Sequence, residues 1–159
     1  MAWTDLLALI GFFGICTLTA STGARFKPGA WYDGLRKPSW VPPKWAFPVV
    51  WTLLFIMMAV SGWMVWRQVG FAAGGVAFGL FLLQLALNAG WSALFFGLRR
   101  MDLALIEVVA LWAAIAATIA AFAPLDATAA WLLAPYLLWV TIAAALNLSM
   151  VRLNPRAAS

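Results

Sequence analysis

Trp45-Ala-Phe47-Pro48-Val-Val-Trp51-Thr52-Leu-Leu-Phe55-Ile-Met-Met-Ala-Val-Ser-Gly-Trp63-Met-Val-Trp66 contains no ionisable side chain. A run of this length reaches the roughly 20 residues that a helix needs to cross about 30 Å of hydrocarbon. Working outward, Leu6 to Ala24, Gln68 to Leu98 and Ala127 to Val151 are equally free of charge, and only Glu107 interrupts Leu103 to Leu125. The composition agrees: 66% of the 159 residues are hydrophobic, 9% are charged, and the mean hydropathy of +0.97 excludes a water-soluble domain. The chain lacks the alternating pattern and regular turn signals of a membrane barrel, so its backbone polar groups must be satisfied inside helices. The expected fold is all-α: one five-transmembrane-helix bundle over 1–159. Its spans are expected near 5–24, 46–66, 71–97, 101–122 and 128–151, with a proline- and tryptophan-rich loop at 25–45.

Charge placement sets the expected topology. Five spans put on one membrane face the segment bearing Arg25, Lys27, Arg36, Lys37 and Lys44, the turn bearing Arg99 and Arg100, and the tail bearing Arg152 and Arg156. That collects all but Arg67 of the ten basic residues. The excess of Lys and Arg on one face places the C-terminus in the cytoplasm and the N-terminus outside. The opening Met1-Ala-Trp3-Thr-Asp5 has no basic start and no cleavage signature, so the first segment is expected to remain as a helix. The net charge of +5 is then a topology signal, with no basic soluble domain to bind nucleic acid.

Several chemistries are disfavoured. Cys16 is the single cysteine, and the absence of histidine removes the usual axial ligand of a haem iron, so no metal site is expected. The sequence shows no general acid, base or metal triad. Two similar halves are also missing, which speaks against a repeat-built secondary transporter. Short turns are expected around Arg67, around Arg100 and at Pro124 to Asp126.

The long connection is different. Pro28, Pro38, Pro42 and Pro43 break Arg25 to Phe47 into turns and stiffen it. Trp31, Trp40 and Trp45 each suit the interfacial belt of an ordinary membrane protein. Together with Tyr32 and five cations on one stiff loop, they also suit a flat apolar ligand bearing carboxylates.

Helical spacing gives three further stripes. Pro48, Trp51, Thr52 and Phe55 share one face, as do Gln84, Asn88, Trp91 and Phe95, and as do Tyr136, Trp139, Ala143 and Leu146. All three converge toward the loop. The plain alternative is helix packing, with Gln84 and Asn147 bonding across helices and Glu107 facing loop-side water or pairing with Arg99 or Arg100. Asn88 is the strongest pointer to a cavity, because an amide at membrane depth faces protein or a pocket.

The run Trp31-Tyr32-x-x-Leu35-x-Lys37-Pro38-x-Trp40-x-Pro42-Pro43-x-Trp45-x-Phe47-Pro48-x-x-Trp51-Thr52 resembles the signature of the translocator protein family, also called the tryptophan-rich sensory protein or peripheral benzodiazepine receptor family. Gln84-Leu85-x-x-Asn88-x-x-Trp91-Ser92-x-x-Phe95-Phe96 and Pro135-Tyr136-Leu137-x-Trp139 with Leu146-Asn147 are similar to two further family motifs. The resemblance implies a five-helix bundle that binds porphyrins and, in some members, sterols and synthetic benzodiazepine- or isoquinoline-type ligands. On that basis the ligand-binding residues are Trp31, Tyr32, Trp40, Pro42, Trp51, Phe55, Asn88, Trp91, Trp139, Ala143 and Leu146. No cofactor is required; porphyrin is the ligand. The resemblance also carries an alternative, light-dependent oxidative breakdown of porphyrin with Trp51 and Trp139 as electron donors; a third reading is a membrane scaffold. Two departures stand out. Tyr136 is followed by Leu-Leu-Trp-Val-Thr, without the basic residue of the vertebrate cholesterol motif, so a sterol is not the expected partner. Ser39 stands where some bacterial relatives carry a tryptophan.

Small residues suggest association. Gly70-x-x-x-Gly74 and Gly75-x-x-x-Gly79 are expected to open the third helix, with Ala86-x-x-x-Gly90 continuing the pattern, and such spacing lets helix backbones approach in lipid. A homodimer through this helix is expected, with packing inside the same chain as the competing reading.

Overall fold

The computed structural model describes residues 3–157 and contains five helices long and apolar enough to cross a membrane. In chain order they are built from α1 (Trp3–Arg25), the short α2 (Ala30–Asp33) in the long loop, α3 (Ala46–Ala73), α4 (Gly75–Ser92) continuing through a π-helical turn (Ala93–Gly97), α5 (Met101–Phe122), α6 (Ala127–Leu132) and α7 (Ala134–Leu153). α6 and α7 together form the fifth span. The end of the bundle that carries α2 is called the loop end below, and the opposite end the far end.

Three boundaries differ from expectation. Arg67 does not mark a turn: α3 runs on to Ala73, and the guanidinium of Arg67 lies 4.9 Å over the ring of Trp63. Its charge is thus carried along the helix surface, and the long apolar stem lets it do so. The break comes at Gly70, with φ 66°, a left-handed conformation that glycine adopts without a Cβ penalty. Gly70 and Gly74 therefore close α3 instead of opening the third span, which starts at Gly75. The fifth span is divided near Leu133, because Pro135 has no amide hydrogen to continue the helical ladder. Asp126 starts α6 by accepting the amide hydrogen of Ala129 at 2.9 Å.

Packing is dense at the far end. α1 lies along α3 there because Gly62 presents no side chain to the ring of Phe12; a Cβ at Gly62 would stand 2.7 Å from that ring and 3.1 Å from Phe81. Phe12 is edge-on to Phe81, and Phe81 stacks on Phe122 at 5.8 Å. The Trp63 indole donates to the carbonyl of Asp5, and Ser61 donates to that of Ala129, tying α3 to α1 and α6. A smaller cluster of Tyr32, Phe95, Met101, Leu146 and Met150 closes the loop end.

Filling the Gly62 notch overpacks this contact. Gly62→Val is expected to cost about 1–3 kcal/mol, read as a lower midpoint of thermal unfolding in detergent. Gly14→Ala, on open helix surface, should leave the midpoint within a degree or two; equal behaviour of the two variants would show that the notch does not matter.

Candidate ligand cavity

Between the dense far end and the loop lies a cavity of about 930 Å³. α3 contributes Trp51 and Phe55, α4 contributes Asn88 and Trp91, and α7 contributes Trp139, Ala143 and Leu146. Tyr32 and Pro42 of the loop complete the roof. The loop-side members of all three stripes therefore meet at one space, while Gln84 and Tyr136 are buried outside its lining. Trp51 is tilted against Phe55 at 5.6 Å and edge-on to Tyr136; Trp139 meets Phe47 edge-on at 5.7 Å; Trp91 stacks on Phe95 at 5.0 Å. These contacts fix the indoles before any ligand arrives.

None of the three loop tryptophans lines the cavity, and Trp45 is exposed. Trp31 is edge-on to Phe95, behind the cavity wall, and Trp40 is about half exposed on the loop surface. Neither belongs to the lining. Residues that sequence reading did not single out do line it: Phe13, Cys16, Thr19 and Ala20 of α1, and Val108 and Leu111 of α5. α1 carries no aromatic stripe toward the loop end, so only its run of small residues from Thr19 to Ala24 could have signalled a cavity beside it.

The polar groups sort into satisfied and unsatisfied. Asn88 donates from Nδ2 to the hydroxyl oxygen of Tyr136 at 2.8 Å, so the membrane-depth amide joins α4 to α7. Gln84 and Asn147, expected to bond across helices, keep both side-chain polar atoms buried with no hydrogen-bond partner among the described residues. Glu107 departs further from expectation. Arg100 pairs instead with Asp102, with its Nε donating at 2.9 Å, and both Glu107 oxygens are buried with no hydrogen bond from the described residues. A Cβ at Gly90 would touch Glu107 Oε1 at 3.8 Å, so α4 covers the carboxyl side chain and keeps it from loop-side water.

The roof is basic at its edge. Lys27, Lys37 and Lys44 all reach the cavity margin. Lys37 lies 4.6 Å over the ring of Tyr32 and donates to the carbonyls of Asp33 and Leu35. Lys44 pairs with Asp33 at 2.8 Å. Arg36 is held by Asn154, whose amide accepts from the Arg36 backbone N–H and donates to its carbonyl. The Phe26 ring seats against Gly97, where a Cβ would stand 2.9 Å away.

Fold and site together define a five-helix membrane protein with a tryptophan-walled cavity closed by a stiff basic loop. Residues 2–153 match the model of the TspO/MBR family, and the chain belongs to that family. Its relatives include the CrtK protein of Rhodobacter capsulatus, 44% identical over 147 residues and covering 91% of each chain. The tryptophan-rich sensory protein of Cereibacter sphaeroides is 42% identical, over 94% of this chain and 93% of its own. The translocator protein of Homo sapiens is 39% identical, over 91% and 89%. The protein is thus an integral multi-pass membrane protein of this family.

The Asp33–Lys44 bridge has a definite pH range. Its hydrogen bond to Lys44 lowers the Asp33 pKa from 3.8, and the same bond raises the Lys44 pKa from 10.5. A depressed carboxylate contributes above its unfolded pKa and loses that contribution as pH falls through the folded value; a raised amine loses its own as pH rises through the folded value. Loop protection from limited proteolysis should therefore stay constant from about pH 5 to 9. Asp33→Asn should raise cleavage in the loop severalfold without shifting global unfolding, since an exposed bridge contributes little to the whole fold; unchanged cleavage would remove the bridge as a fastener.

Proposed function

We propose that this protein is a membrane receptor for tetrapyrroles and other flat hydrophobic aromatic ligands, with protoporphyrin-type molecules as the leading class. The observation that carries this reading is the single cavity wall shared by Trp51, Phe55, Trp91 and Trp139, with three lysines at its edge. The volume lies within the roughly 300–1,000 Å³ of small-molecule sites, and indole faces suit a planar conjugated ring. Lysine ammonium groups at the rim suit propionate carboxylates. The excess of basic residues at the loop end favours the cytoplasmic face for it, and the ligand's acidic groups would then point there. Family membership supports a sensory or binding role of this kind.

A second reading is light-dependent oxidation of the bound porphyrin. Trp51 and Trp139 both line the cavity, so an excited ligand would lie against indoles able to donate an electron. The two readings separate in one experiment. Dark titration with protoporphyrin IX in detergent, followed by tryptophan fluorescence, should saturate at micromolar ligand and weaken in Trp51→Phe and Trp139→Phe. Linear, non-saturating quenching would exclude the receptor reading and favour a scaffold. Under illumination, variants that bind but no longer bleach the porphyrin would support oxidation by these residues.

We further propose that the receptor is a homodimer through α4. Gly75 and Gly79 have no neighbouring atom within 4 Å of an added Cβ, so this face of the helix is open, while Gly74 is occupied by its own chain's Phe78. Small-residue faces allow close helix approach in lipid. Gly75→Leu with Gly79→Leu should convert the detergent-solubilised dimer to monomer in light scattering, and a persistent dimer would place the interface elsewhere.

A further inference from the structure

We propose that the cavity is loaded from within the bilayer, through a slot between α1 and α3, so that its ligand is a membrane-dissolved molecule passing edge-on between Thr17 and Ala24 on one side and Thr52 and Ile56 on the other. This rests on the receptor reading above and adds the route and the physical state of the ligand.

The slot follows from where α1 is held and where it is not. Far-end contacts fix α1 to α3 through Phe12 at Gly62 and through the Trp63–Asp5 hydrogen bond. From Thr19 to Ala24, α1 offers only the short side chains of Thr, Ala, Ser, Thr, Gly and Ala. Thr17, Ala24, Thr52 and Ile56 each keep much of their surface accessible and also line the cavity, and they are in helical phase with exposed residues outside its lining, Thr17 and Ala24 with Ser21 on α1 and Ile56 with Val49 and Leu53 on α3. A residue that does both stands at a mouth. Thr17 lies eight residues before Arg25 and Ile56 ten after Ala46, about 12 and 15 Å along their helices at 1.5 Å per residue. The mouth therefore reaches from the loop end well into the hydrocarbon.

Hydrogen bonding distinguishes this opening from the roof. The hydroxyls of Thr19, Ser21 and Thr22 on α1 and of Thr52 on α3 all donate to carbonyls of their own helix. Back-bonded in this way, they are satisfied in lipid and do not latch the two helices together. The roof, by contrast, is fastened by the Asn154–Arg36 pair of bonds, by Lys44–Asp33 and by Phe26 at Gly97. Passage through the roof breaks these contacts; passage through the slot breaks none of them. A planar ligand sliding in from the bilayer meets Phe55 and Trp51 just inside, while acidic groups at its edge travel along the headgroup layer toward Lys27.

The test compares the two routes in vesicles. Cys16→Ala, itself a change in the cavity lining, is the common parent of every variant so that introduced cysteines are unique, and rates are compared with that parent; protoporphyrin IX dissolved in phosphatidylcholine vesicles is the probe, followed by tryptophan quenching after mixing with proteoliposomes. Ala24→Trp combined with Thr52→Trp should slow association and dissociation together by at least tenfold. Arg36→Cys joined by a disulfide to Asn154→Cys, which locks the roof, should leave association within twofold. A locked roof that slows association tenfold, or slot variants that leave it unchanged, would overturn the proposal. A ligand-free measurement guards against misfolded variants: a nitroxide at Ala20→Cys, on the cavity wall, should be relaxed by bilayer-soluble oxygen far more than by a water-soluble nickel chelate. Equal relaxation would mean that the cavity opens to water. Absence of saturable quenching in the unmodified protein, with the oxygen preference intact, would count against the porphyrin reading while leaving the slot standing.

Discussion

Phe12 occupies the space that Gly62 leaves open, and that contact sets α1 against α3 at the far end of the bundle. Helices in lipid gain no hydrophobic driving force from meeting, so close packing and hydrogen bonds must hold them. Here both are concentrated at one end: Phe12, Phe78, Phe81 and Phe122 interlock, and Ser61 and Trp63 reach across to neighbouring backbones. The loop end can then remain hollow without loss of the helix arrangement. Rigid far-end packing and a cavity of about 930 Å³ are two parts of one design, because an equally dense loop end would leave no site.

Most of the fold was legible, for a physical reason that also marks its limit. Spans follow from the cost of exposing charge or backbone to hydrocarbon, and all five were placed on that basis. Fine boundaries depend on local chemistry that hydropathy does not register. Arg67 read as a turn because it is charged, yet stacking on Trp63 keeps it helical, and the real break needed a glycine at positive φ. The aromatic stripes of α3, α4 and α7 pointed to one cavity because a periodicity of 3.6 fixes which side chains share a face. The contribution of α1 was hidden, since its part in the site is the absence of large side chains. Trp31 and Trp40 showed the opposite difficulty: a tryptophan on a loop has no helical phase to say which way it faces.

The polar residues within the bundle divide by what they meet. Asn88 and Tyr136 satisfy each other across α4 and α7 and so fix the relative height of two cavity walls. Glu107, Gln84 and Asn147 receive no such partner among the described residues. Isolated polar groups at this depth carry a substantial penalty, which the apolar contacts around them must offset. Sequence reading expected helix-to-helix bonds for the last two because amides commonly form them, but complementarity of position cannot be read from composition.

The length of α3 has a bearing on the surrounding lipid. The 24 residues from Ala46 to the break at Gly70 extend about 36 Å at 1.5 Å per residue, against a hydrocarbon thickness of about 30 Å. Such hydrophobic mismatch is relieved by tilt, by protrusion or by bilayer deformation, each at a modest energy per ångström. Arg67, anchored over Trp63 less than one turn before Gly70, belongs at the headgroup level and assigns the excess to the far side. The hinge at Gly70 then lies at the lipid surface, where the chain can reverse without exposing backbone to hydrocarbon. A thicker bilayer would draw this terminal segment inward and straighten the helix against its neighbours, making membrane thickness itself a variable to which the bundle responds.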